Sequence, residues 1–307
     1  MTGFNDLLLA KEEYENKLFS QKGVHSVGIG YKKADGKNNG QLALLIYVDS
    51  PIMVEELSKS DIIPSNIPID IIYEPQLSYD ILFINNKDII NTDQGRYRPL
   101  IGGIQIYLTN FSGSWIGTLG TFVKSQDDSD KNLYLLSNLH VLNSSGLAVL
   151  QPLKGAKNII AITLENKDFP NSDAALAESN DSAEIEVNTI EGIGKVSKTQ
   201  ILSDADLNKR VIKRGRTTGL TEGTIEAINV TVHLVDDTFR YDCVRVRADD
   251  GKLFSDSGDS GSPVILKDEN KLVGLHFAGN KVLGGTSSFC KIDNVFRNLN
   301  IKLPDSD

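Results

Sequence analysis

The sequence predicts a mainly β protein in which a small α+β module precedes a larger antiparallel β unit. Helical spacing of apolar residues is found mainly near the start of the chain and again over 294–301. From Gly102 onward, short β-like runs instead alternate with turn residues. Closely spaced short strands of this kind are typical of an antiparallel barrel or sandwich.

The composition is that of an acidic globular protein. The 307 residues include 32 Lys and Arg against 41 Asp and Glu, which gives a net charge of −9 at pH 7. Because nucleic-acid binders attract phosphates with clustered cations, we expect no nucleic-acid partner. No apolar stretch approaches the roughly 18 residues of a membrane span, and the apolar run 7–10 stops at Lys11, which is too short for a signal peptide. We therefore expect a cytoplasmic protein that binds no membrane.

The α+β module begins with a predicted helix. Asn5 and Asp6 are candidate caps, and apolar residues follow at helical spacing: Leu8, Leu9, Tyr14, Leu18 and Phe19. Further along, residues 52–59 are predicted to form a short helix and 67–73 a strand.

A β-hairpin is predicted between these elements. The runs 24–31 and 42–48 are rich in β-branched and aromatic residues. Residues 33–40 between them contain two turn pairs: Asp35-Gly36 and Asn39-Gly40.

The polar, turn-rich stretch 85–98 is predicted to connect the two parts. We expect the module to occupy 1–84, the linker 85–101 and the β unit 102–307. Within that unit the clearest predicted strands are 118–123, 133–136, 211–213, 223–234, 243–247, 264–266 and 272–278.

The sequence reveals no metal or cofactor site. The two cysteines, Cys243 and Cys290, could form one disulfide, but we expect buried free thiols in a reducing compartment. Four histidines are scattered without the spacing of a ligand set: His25, His140, His233 and His276. We therefore expect neither a metal nor a cofactor.

The most informative segment is SGDSGSP, residues 257–263. A serine between small residues can sit on a tight turn whose backbone N–H groups point into one concavity, as an oxyanion requires. The alternative is an ordinary polar loop, since Gly, Ser and Asp dominate turns. Two predicted strands follow at once, and this context favours Ser260 as a nucleophile.

A nucleophilic serine needs a base and a group that orients the base. His140 lies near the end of the apolar run 134–142, and the pKa of imidazole is close to neutral pH. Asp173 has small apolar neighbours, so its carboxylate requires a partner such as an imidazole N–H if it is buried. Singly, His140 could be a core histidine and Asp173 a helix cap. Together, in the order His, Asp, Ser, they favour a catalytic triad.

Six motifs, taken in order, resemble a trypsin-like serine peptidase domain. They are GTLG (117–120), YLLSNLHVL (134–142), SDAALA (172–177), GRTTGLTEGT (215–224), GDSGSP (258–263) and LVGLHFAG (272–279). They are particularly similar to the bacterial and plant intracellular subgroup that includes the narrow-leaf proteins. The resemblance covers about 102–303, and the N-terminal module also resembles the segment that precedes the peptidase domain in bacterial members.

The resemblance implies two packed antiparallel β-barrels with an active site between them. Ser260 would be the nucleophile, His140 the base and Asp173 its orienter. The backbone N–H groups of Gly258 and Ser260 would form the oxyanion hole. The implied activity is hydrolysis of protein or peptide substrates through an acyl-enzyme.

Two positions depart from the family pattern. Leu139 stands where the family has a small residue before the histidine. Asp259 matches the residue that, in digestive enzymes, pairs with a new N-terminus freed by activation cleavage. Because a whole module precedes the domain here, we expect no such cleavage, and Asp259 must be solvated or find another partner, for which a nearby arginine is one possibility.

The resemblance also places 272–280 in the wall of the primary specificity pocket. Its G-L-H pattern is similar to that of glutamyl endopeptidases and picornaviral cysteine peptidases, in which the histidine contacts the substrate side chain before the scissile bond. His276 would then donate to a carboxylate or amide, and we expect cleavage after Glu, with Gln or Asp next. The other candidate substrate contacts are Ser255, Phe254, Phe277 and Gly279. In the alternative, His276 is only a buried strand residue and Phe254 shapes an apolar pocket.

Two other classes of function are considered. An α/β-hydrolase requires G-x-S-x-G, and Ser262 occupies the place of the second glycine, which excludes that class. A catalytically inert protein that uses the same fold for binding or regulation is the remaining alternative. The N-terminal module has no recognisable chemistry and is expected to regulate the peptidase or to bind its substrate or a regulator.

Overall fold

Strands are the main secondary structure in the computed structural model, which describes residues 2–34, 37–84, 95–110, 113–153, 155–180 and 183–305. The N-terminal elements are α1 (Phe4–Phe19), β1 (Val24–Ala34), β2 (Lys37–Val48), α2 (Pro51–Ser58), β3 (Ile69–Tyr73), β4 (Ser78–Tyr79) and β5 (Leu82–Ile84). The middle elements are β6 (Leu100–Gly102), β7 (Gln105–Asn110), β8 (Gly113–Thr118), β9 (Thr121–Ser125), β10 (Leu133–Ser137), β11 (Ala148–Leu150), a 3₁₀ turn (Ala156–Asn158), β12 (Ile159–Thr163) and β13 (Ala175–Ser179). The last are β14 (Ile185–Ile190), β15 (Gly194–Lys195), β16 (Lys198–Thr199), a 3₁₀ turn (Asp204–Asp206), β17 (Arg210–Gly215), β18 (Gly219–His233), β19 (Phe239–Ala248), β20 (Pro263–Leu266), β21 (Lys271–Gly279), β22 (Thr286–Lys291), α3 (Ile292–Leu299) and β23 (Ile301–Lys302).

Six strands of the second half close into a barrel. Their order is β17-β20-β21-β22-β19-β18, and β18 pairs back with β17. Buried and partly exposed residues alternate along β17, as expected of a strand with one face in the core. The barrel interior contains the buried side chains of Val211, Val246, Val264 and Leu266.

A second sheet forms around the first half of the β unit, in the order β23-β9-β10-β13-β12-β11-β7-β8-β5. Its own apolar cluster includes Ile106, Phe122, Leu135 and Ile160, all buried. The mainly β architecture with a small N-terminal helix and strand module is therefore confirmed. None of the helices among the described residues has the length and apolar character needed to cross a bilayer.

The N-terminal module is joined to the barrel through its sheet. Strand β1 pairs with β2 on one side and with β18 on the other, where Ser26 lies opposite Val232. Strand β3 runs parallel to β2 at the outer edge. The boundaries 1–84, 85–101 and 102–307 stay a prediction, and 85–94 of the predicted linker lie outside the described residues.

An ionic cluster fixes the chain just after β3. The carboxylate of Glu74 lies 3.3 Å from Nη2 of Arg245 and 2.5 Å from Nη2 of Arg247. It also accepts a 2.6 Å hydrogen bond from the Thr286 hydroxyl. The Arg245 guanidinium in turn stacks 3.8 Å from the ring centroid of Tyr47. The exit of the module is therefore held directly against β19 and β22.

A second buried carboxylate lies at the same interface. Glu226 contacts Nε of Arg247 and Nζ of Lys33, each at 2.5 Å. Burial alone would raise the pKa of Glu226, but the two cations outweigh it and bring the pKa down to about 2.

Several element boundaries differ from the sequence prediction. Helix α1 begins at Phe4, and Asp6 acts from within the first turn by accepting a 2.9 Å hydrogen bond from the Gly3 N–H. Strand β2 starts at Lys37, so Asn39-Gly40 lies within it, because the hairpin pairing continues beyond the apolar run. The predicted turn pair 35–36 lies outside the described residues.

The predicted strand 118–123 is divided between two strands, because β8 ends at Thr118 and β9 begins at Thr121. A Cβ on Gly120 would lie 2.8 Å from a Leu275 methyl and 3.0 Å from the Gly261 carbonyl. The closed barrel thus packs against this connection, and the lack of a Cβ at Gly120 allows the close approach.

Candidate active site

Ser260 lies in the turn immediately before β20, with its side chain buried in the present conformation. Its Oγ is 2.7 Å from Nε2 of His140 and 3.1 Å from the carbonyl oxygen of Phe277. Its neighbour Ser262 donates a 2.6 Å hydrogen bond to the Asp259 carbonyl, which closes the turn. The hydroxyl is therefore held beside a possible base.

His140 lies in a turn three residues after β10 ends at Ser137. Its Nδ1 is 2.5 Å from Oδ2 of Asp173, and its backbone N–H donates to Oδ1 of the same carboxylate at 3.2 Å. One carboxylate therefore fixes both the backbone and the ring, which directs Nε2 towards Ser260.

Asp173 is fully buried and lies two residues before β13 begins at Ala175. Residues 175–179 form a strand, so a helix-capping role for this aspartate is wrong. Burial would raise the pKa of Asp173, but the charge and hydrogen bonds of His140, together with Arg240, hold it below its usual value. The carboxylate is thus kept ionised beside the imidazole.

The turn 257–260 presents two backbone donors to one point. The N–H groups of Gly258 and Ser260 both donate to the carbonyl oxygen of Asp80, at 2.6 and 3.1 Å. Gly258 has a φ of +104°, and a Cβ there would lie 2.4 Å from the Thr217 hydroxyl oxygen. The two donors predicted for an oxyanion hole therefore converge, and the turn that directs them requires glycine.

Asp259 finds its partner inside the barrel. Oδ2 lies 3.1 Å from Nζ of Lys213, and both side chains are fully buried. The carboxylate also accepts hydrogen bonds from the backbone of Thr217 and the hydroxyl of Thr218, at 2.7 and 2.6 Å. The cation is thus a lysine of β17, and the suggestion of an arginine partner is wrong.

Residues 78–84, here called the cleft segment, run past the triad. In β4, Ser78 pairs with Gly279 and Tyr79 with Ala278, antiparallel to β21. The ring of Tyr79 stacks on the His140 imidazole with centroids 4.1 Å apart. On the other side, β5 pairs antiparallel with β8.

The predicted specificity residues surround the side chain of Asp80. Oδ2 of Asp80 lies 2.8 Å from Nε2 of His276, and both side chains are fully buried. Ser255 Oγ is 2.8 Å from Ser287 Oγ, and a Cβ on Gly279 would touch both hydroxyls and the Asp80 carboxylate. The structure therefore brings His276, Ser255 and Gly279 to one pocket.

The two phenylalanines have different positions. Phe254 is buried and meets the His276 ring edge to face, with centroids 6.1 Å apart, so it packs behind the imidazole. Phe277 contributes its carbonyl oxygen, which accepts from Ser260 and, at 3.1 Å, from the Asp80 N–H.

The sequence-based predictions do not include Tyr79, Asp80, Lys213 or Ser287, all of which lie at the site. Asp80 reaches its partners only because the segment folds back across strands nearly two hundred positions away. A lone acid in an apolar run, LSYDILF at 77–83, is the local signal that could have drawn attention to it.

The comparisons with known proteins agree with this architecture. A family model described as the Nal1 C-terminal domain matches residues 158–292. Thermobifida fusca Protease A superposes with a TM-score of 0.52 at 21% identity, covering 67% of this chain and 98% of that protein. Cellulomonas bogoriensis chymotrypsin gives 0.51 at 19% identity, covering 67% and 98%.

A serine protease specific for glutamic acid, which uses a histidine triad in substrate binding, also superposes. The TM-score is 0.51 at 20% identity, covering 67% of this chain and 100% of that protein. At these identities the likeness establishes the fold alone. The chain therefore has the trypsin-like fold of these serine proteases.

Proposed function

We propose that this chain is a serine endopeptidase that hydrolyses peptide bonds in protein substrates by a Ser-His-Asp triad. The observation that carries the proposal is the continuous line of contacts from Ser260 Oγ to His140 and from His140 to Asp173, at 2.7 and 2.5 Å. A nucleophile, a base and an orienting carboxylate in this geometry are the requirements of acyl transfer.

In the proposed reaction, Ser260 Oγ attacks the substrate carbonyl carbon while Nε2 of His140 accepts the hydroxyl proton. The charge that develops on the carbonyl oxygen is stabilised by the N–H groups of Gly258 and Ser260. Collapse of this intermediate transfers the proton to the leaving amine and leaves an acyl-enzyme. Water, deprotonated by His140, then releases the acid product. No metal or cofactor is required.

The preferred residue before the scissile bond is proposed to be acidic, Glu first and Gln or Asp next. Support comes from the contact of His276 Nε2 with a carboxylate and from the nearby hydroxyls of Ser255 and Ser287. A pocket with buried donors rejects apolar side chains, because they leave the donors unpaired. Phe254 behind the imidazole helps to hold the ring in place.

The protein is proposed to be an enzyme of the narrow-leaf type. It is proposed to carry out limited proteolysis in the cytoplasm. The match of 158–292 to the Nal1 C-terminal domain supports this relationship. Cys243 and Cys290 are both free and buried, which suits a reducing compartment.

The N-terminal module is proposed to regulate the peptidase. Its sheet continues into the barrel through β1 and β18, and the cleft segment follows directly from it. Any partner that moved the module would therefore act on the cleft. A regulator or a substrate protein is the expected partner.

One observation supports the rival function of a catalytically inert binding protein: the chain's own residues 78–80 fill the described cleft. A fluorophosphonate probe, which reacts with activated serines, separates the two. We expect it to label Ser260 in Tyr79→Ala, in which the stacking on His140 is lost, and to spare the same variant carrying Ser260→Ala. The exposed Ser129→Ala change is the matched control and should leave labelling intact.

Cleavage of a peptide library by Tyr79→Ala then measures specificity. Products dominated by Glu, Gln or Asp before the cut are expected. Absence of labelling and of cleavage in a folded Tyr79→Ala/Asp80→Ala protein, which also lacks the carboxylate that contacts His276, would support the inert alternative.

A further inference from the structure

We propose that the chain's own Asp80–Ile81 peptide bond is a substrate of Ser260, so that the protein cleaves itself at this position. The inference rests on the proposed peptidase function and adds the site of a self-processing reaction. Three sets of contacts carry it: those of the backbone before the bond, those of the Asp80 carbonyl and side chain, and those of the strand that follows.

The backbone before the bond is aligned as an added strand. Ser78 and Tyr79 pair with Gly279 and Ala278 of β21, and the Asp80 N–H donates to the Phe277 carbonyl at 3.1 Å. Pairing of an extended peptide with a sheet edge fixes its register, because each residue has one partner. In this register the carbonyl of Asp80 is the one that reaches the Ser260 turn.

The Asp80 carbonyl is polarised for attack. Its oxygen receives the N–H groups of Gly258 and Ser260 at 2.6 and 3.1 Å, close to the geometry expected for a developing oxyanion. Ser260 Oγ is meanwhile paired with His140. The stabilising donors therefore converge on the carbonyl of one peptide unit of the same chain, and one of these donors is the backbone N–H of Ser260 itself.

The Asp80 side chain is bound as a specificity residue. Its carboxylate is fully buried, a position that is costly unless the charge is compensated. His276 lies 2.8 Å from one oxygen, and Nζ of Lys281 lies 3.8 Å from the other. The acid thus occupies the pocket proposed to read acidic residues in external substrates.

The residues that follow the proposed scissile bond are also fixed in position, by strand pairing and packing. Leu82 pairs with Ile116 and Phe83 with Trp115 on strand β8. Ile81 packs against the apolar cluster of the second sheet. With both flanks ordered, attack requires little further loss of motion, which is the main advantage of an intramolecular reaction.

The tether before the segment is short and fixed. Glu74, six residues upstream of Asp80, is bound by Arg245 and Thr286. Leu77 between them is fully buried, and its carbonyl accepts from the Val235 N–H at 3.1 Å. The segment therefore reaches the Ser260 of its own chain from an anchored starting point.

The step conserves atoms and protons. Ser260 Oγ forms an ester bond with the Asp80 carbonyl carbon as the bond to the Ile81 nitrogen breaks. His140 takes the serine proton and gives it to that nitrogen, which leaves as a free α-amine. Water then hydrolyses the ester, which restores Ser260 and leaves a new α-carboxylate on Asp80.

The test uses the full chain and intact-mass spectrometry over time. Wild type is expected to divide into 1–80 and 81–307, with Ile81 as the new N-terminus and a rate that does not depend on protein concentration. Ser260→Ala should stay whole. Asp80→Ala should be cut about 100-fold more slowly, because the buried Nε2 of His276 loses its partner. The exposed Asp61→Ala change is the matched control and should be cut like wild type.

A second measurement keeps this inference separate from the proposed function. Tyr79→Ala is assayed with the fluorophosphonate probe and with a peptide of residues 75–82 added in trans. If this variant is labelled or cuts the peptide while wild type stays whole, self-cleavage is wrong and the peptidase function stands. If neither protein reacts with probe or peptide, the peptidase function itself fails, and the inference fails with it.

Discussion

Nζ of Lys213 lies 3.1 Å from Oδ2 of Asp259, and neither side chain is exposed. The turn that carries Ser260 is therefore fixed by an internal ion pair. In the digestive enzymes that the sequence resembles, a newly freed N-terminus is the cation at the corresponding place. Lys213 already supplies the charge, which supports the expectation that no activation cleavage of the digestive type is needed.

Removal of this lysine should destabilise the protein strongly. Lys213→Met leaves Asp259 buried without its cation, at an expected cost of about 3–5 kcal/mol in the free energy of unfolding. Urea denaturation measures the change. The exposed pair of Lys59 and Glu55 is the control, since Lys59→Met should cost at most about 1 kcal/mol.

The double variant Lys213→Met/Asp259→Asn sharpens this test. It removes both charges, so it should recover part of the lost stability. Equal destabilisation by Lys213→Met and Lys59→Met would contradict the assigned role.

Glu226 should make stability depend on acid pH. Its pKa in the folded protein is about 2, below the ordinary value of 4.5. A depressed pKa stabilises the folded state fully above pH 4.5, and the stabilisation disappears as the pH falls towards 2. The pH-dependent part should amount to about 3 kcal/mol.

Urea denaturation between pH 2 and 7 checks this prediction by comparing wild type with Glu226→Gln. The difference between the two proteins should shrink as the pH falls from about 4.5. Glu55→Gln, at an exposed pair, serves as control. A constant difference between wild type and Glu226→Gln across this range would count against the assigned pKa.

Gly258→Ala should abolish most peptidase activity with little change in fold. An alanine at φ +104° would collide with the Thr217 hydroxyl, and the turn must shift to relieve the contact. Loss of one oxyanion donor typically lowers kcat about 100- to 1000-fold. Activity is measured on an acidic peptide.

Gly251→Ala is the matched control, because Gly251 also has a positive φ, +69°, but a Cβ there meets open space. It should keep nearly full kcat. Similar losses of activity in the two variants would mean that backbone strain, and not the donor geometry, explains the effect.

His276→Phe should change the choice of substrate more than the rate on a neutral one. Without the Nε2 donor, the preference for Glu over Leu before the cut should fall at least about 10-fold in kcat/KM. His233→Phe, remote from the pocket and paired with Asp237, should leave the preference unchanged. If His276→Phe retained the preference for acidic residues, the imidazole would not be the group that determines this specificity.

The triad candidates could be predicted because each lies in a stretch whose local chemistry is informative. Ser260 stands in a glycine-rich turn before a strand, and Asp173 stands among small apolar residues that imply burial. The three residues are brought together only by the tertiary fold. The order of the motifs nevertheless restricts the possible folds enough to predict that they lie close together.

The occupant of the cleft could not be predicted in this way. Strand β4 has only two residues and owes its position to pairing with β21, so periodicity gives no signal. The pairing of β1 with β18 could not be predicted either, because it is made by backbone hydrogen bonds, which require no particular side chains. The role of Lys213 could not be predicted, because it is one of several cations within 210–216 and the sequence does not distinguish the one that is buried.

Because strand β4 holds the following residue in the proposed specificity pocket, the protein itself can be used to measure which side chains the pocket prefers. Residue 80 occupies the pocket proposed to bind the side chain before the scissile bond. Each substitution at this position therefore places one copy of a different side chain in the pocket of every molecule. A saturation library at this one codon, scored by fragment mass, would rank the preferences of the cleft before any target protein is identified. In related chains, the residues at the positions of Asp80 and His276 should change together.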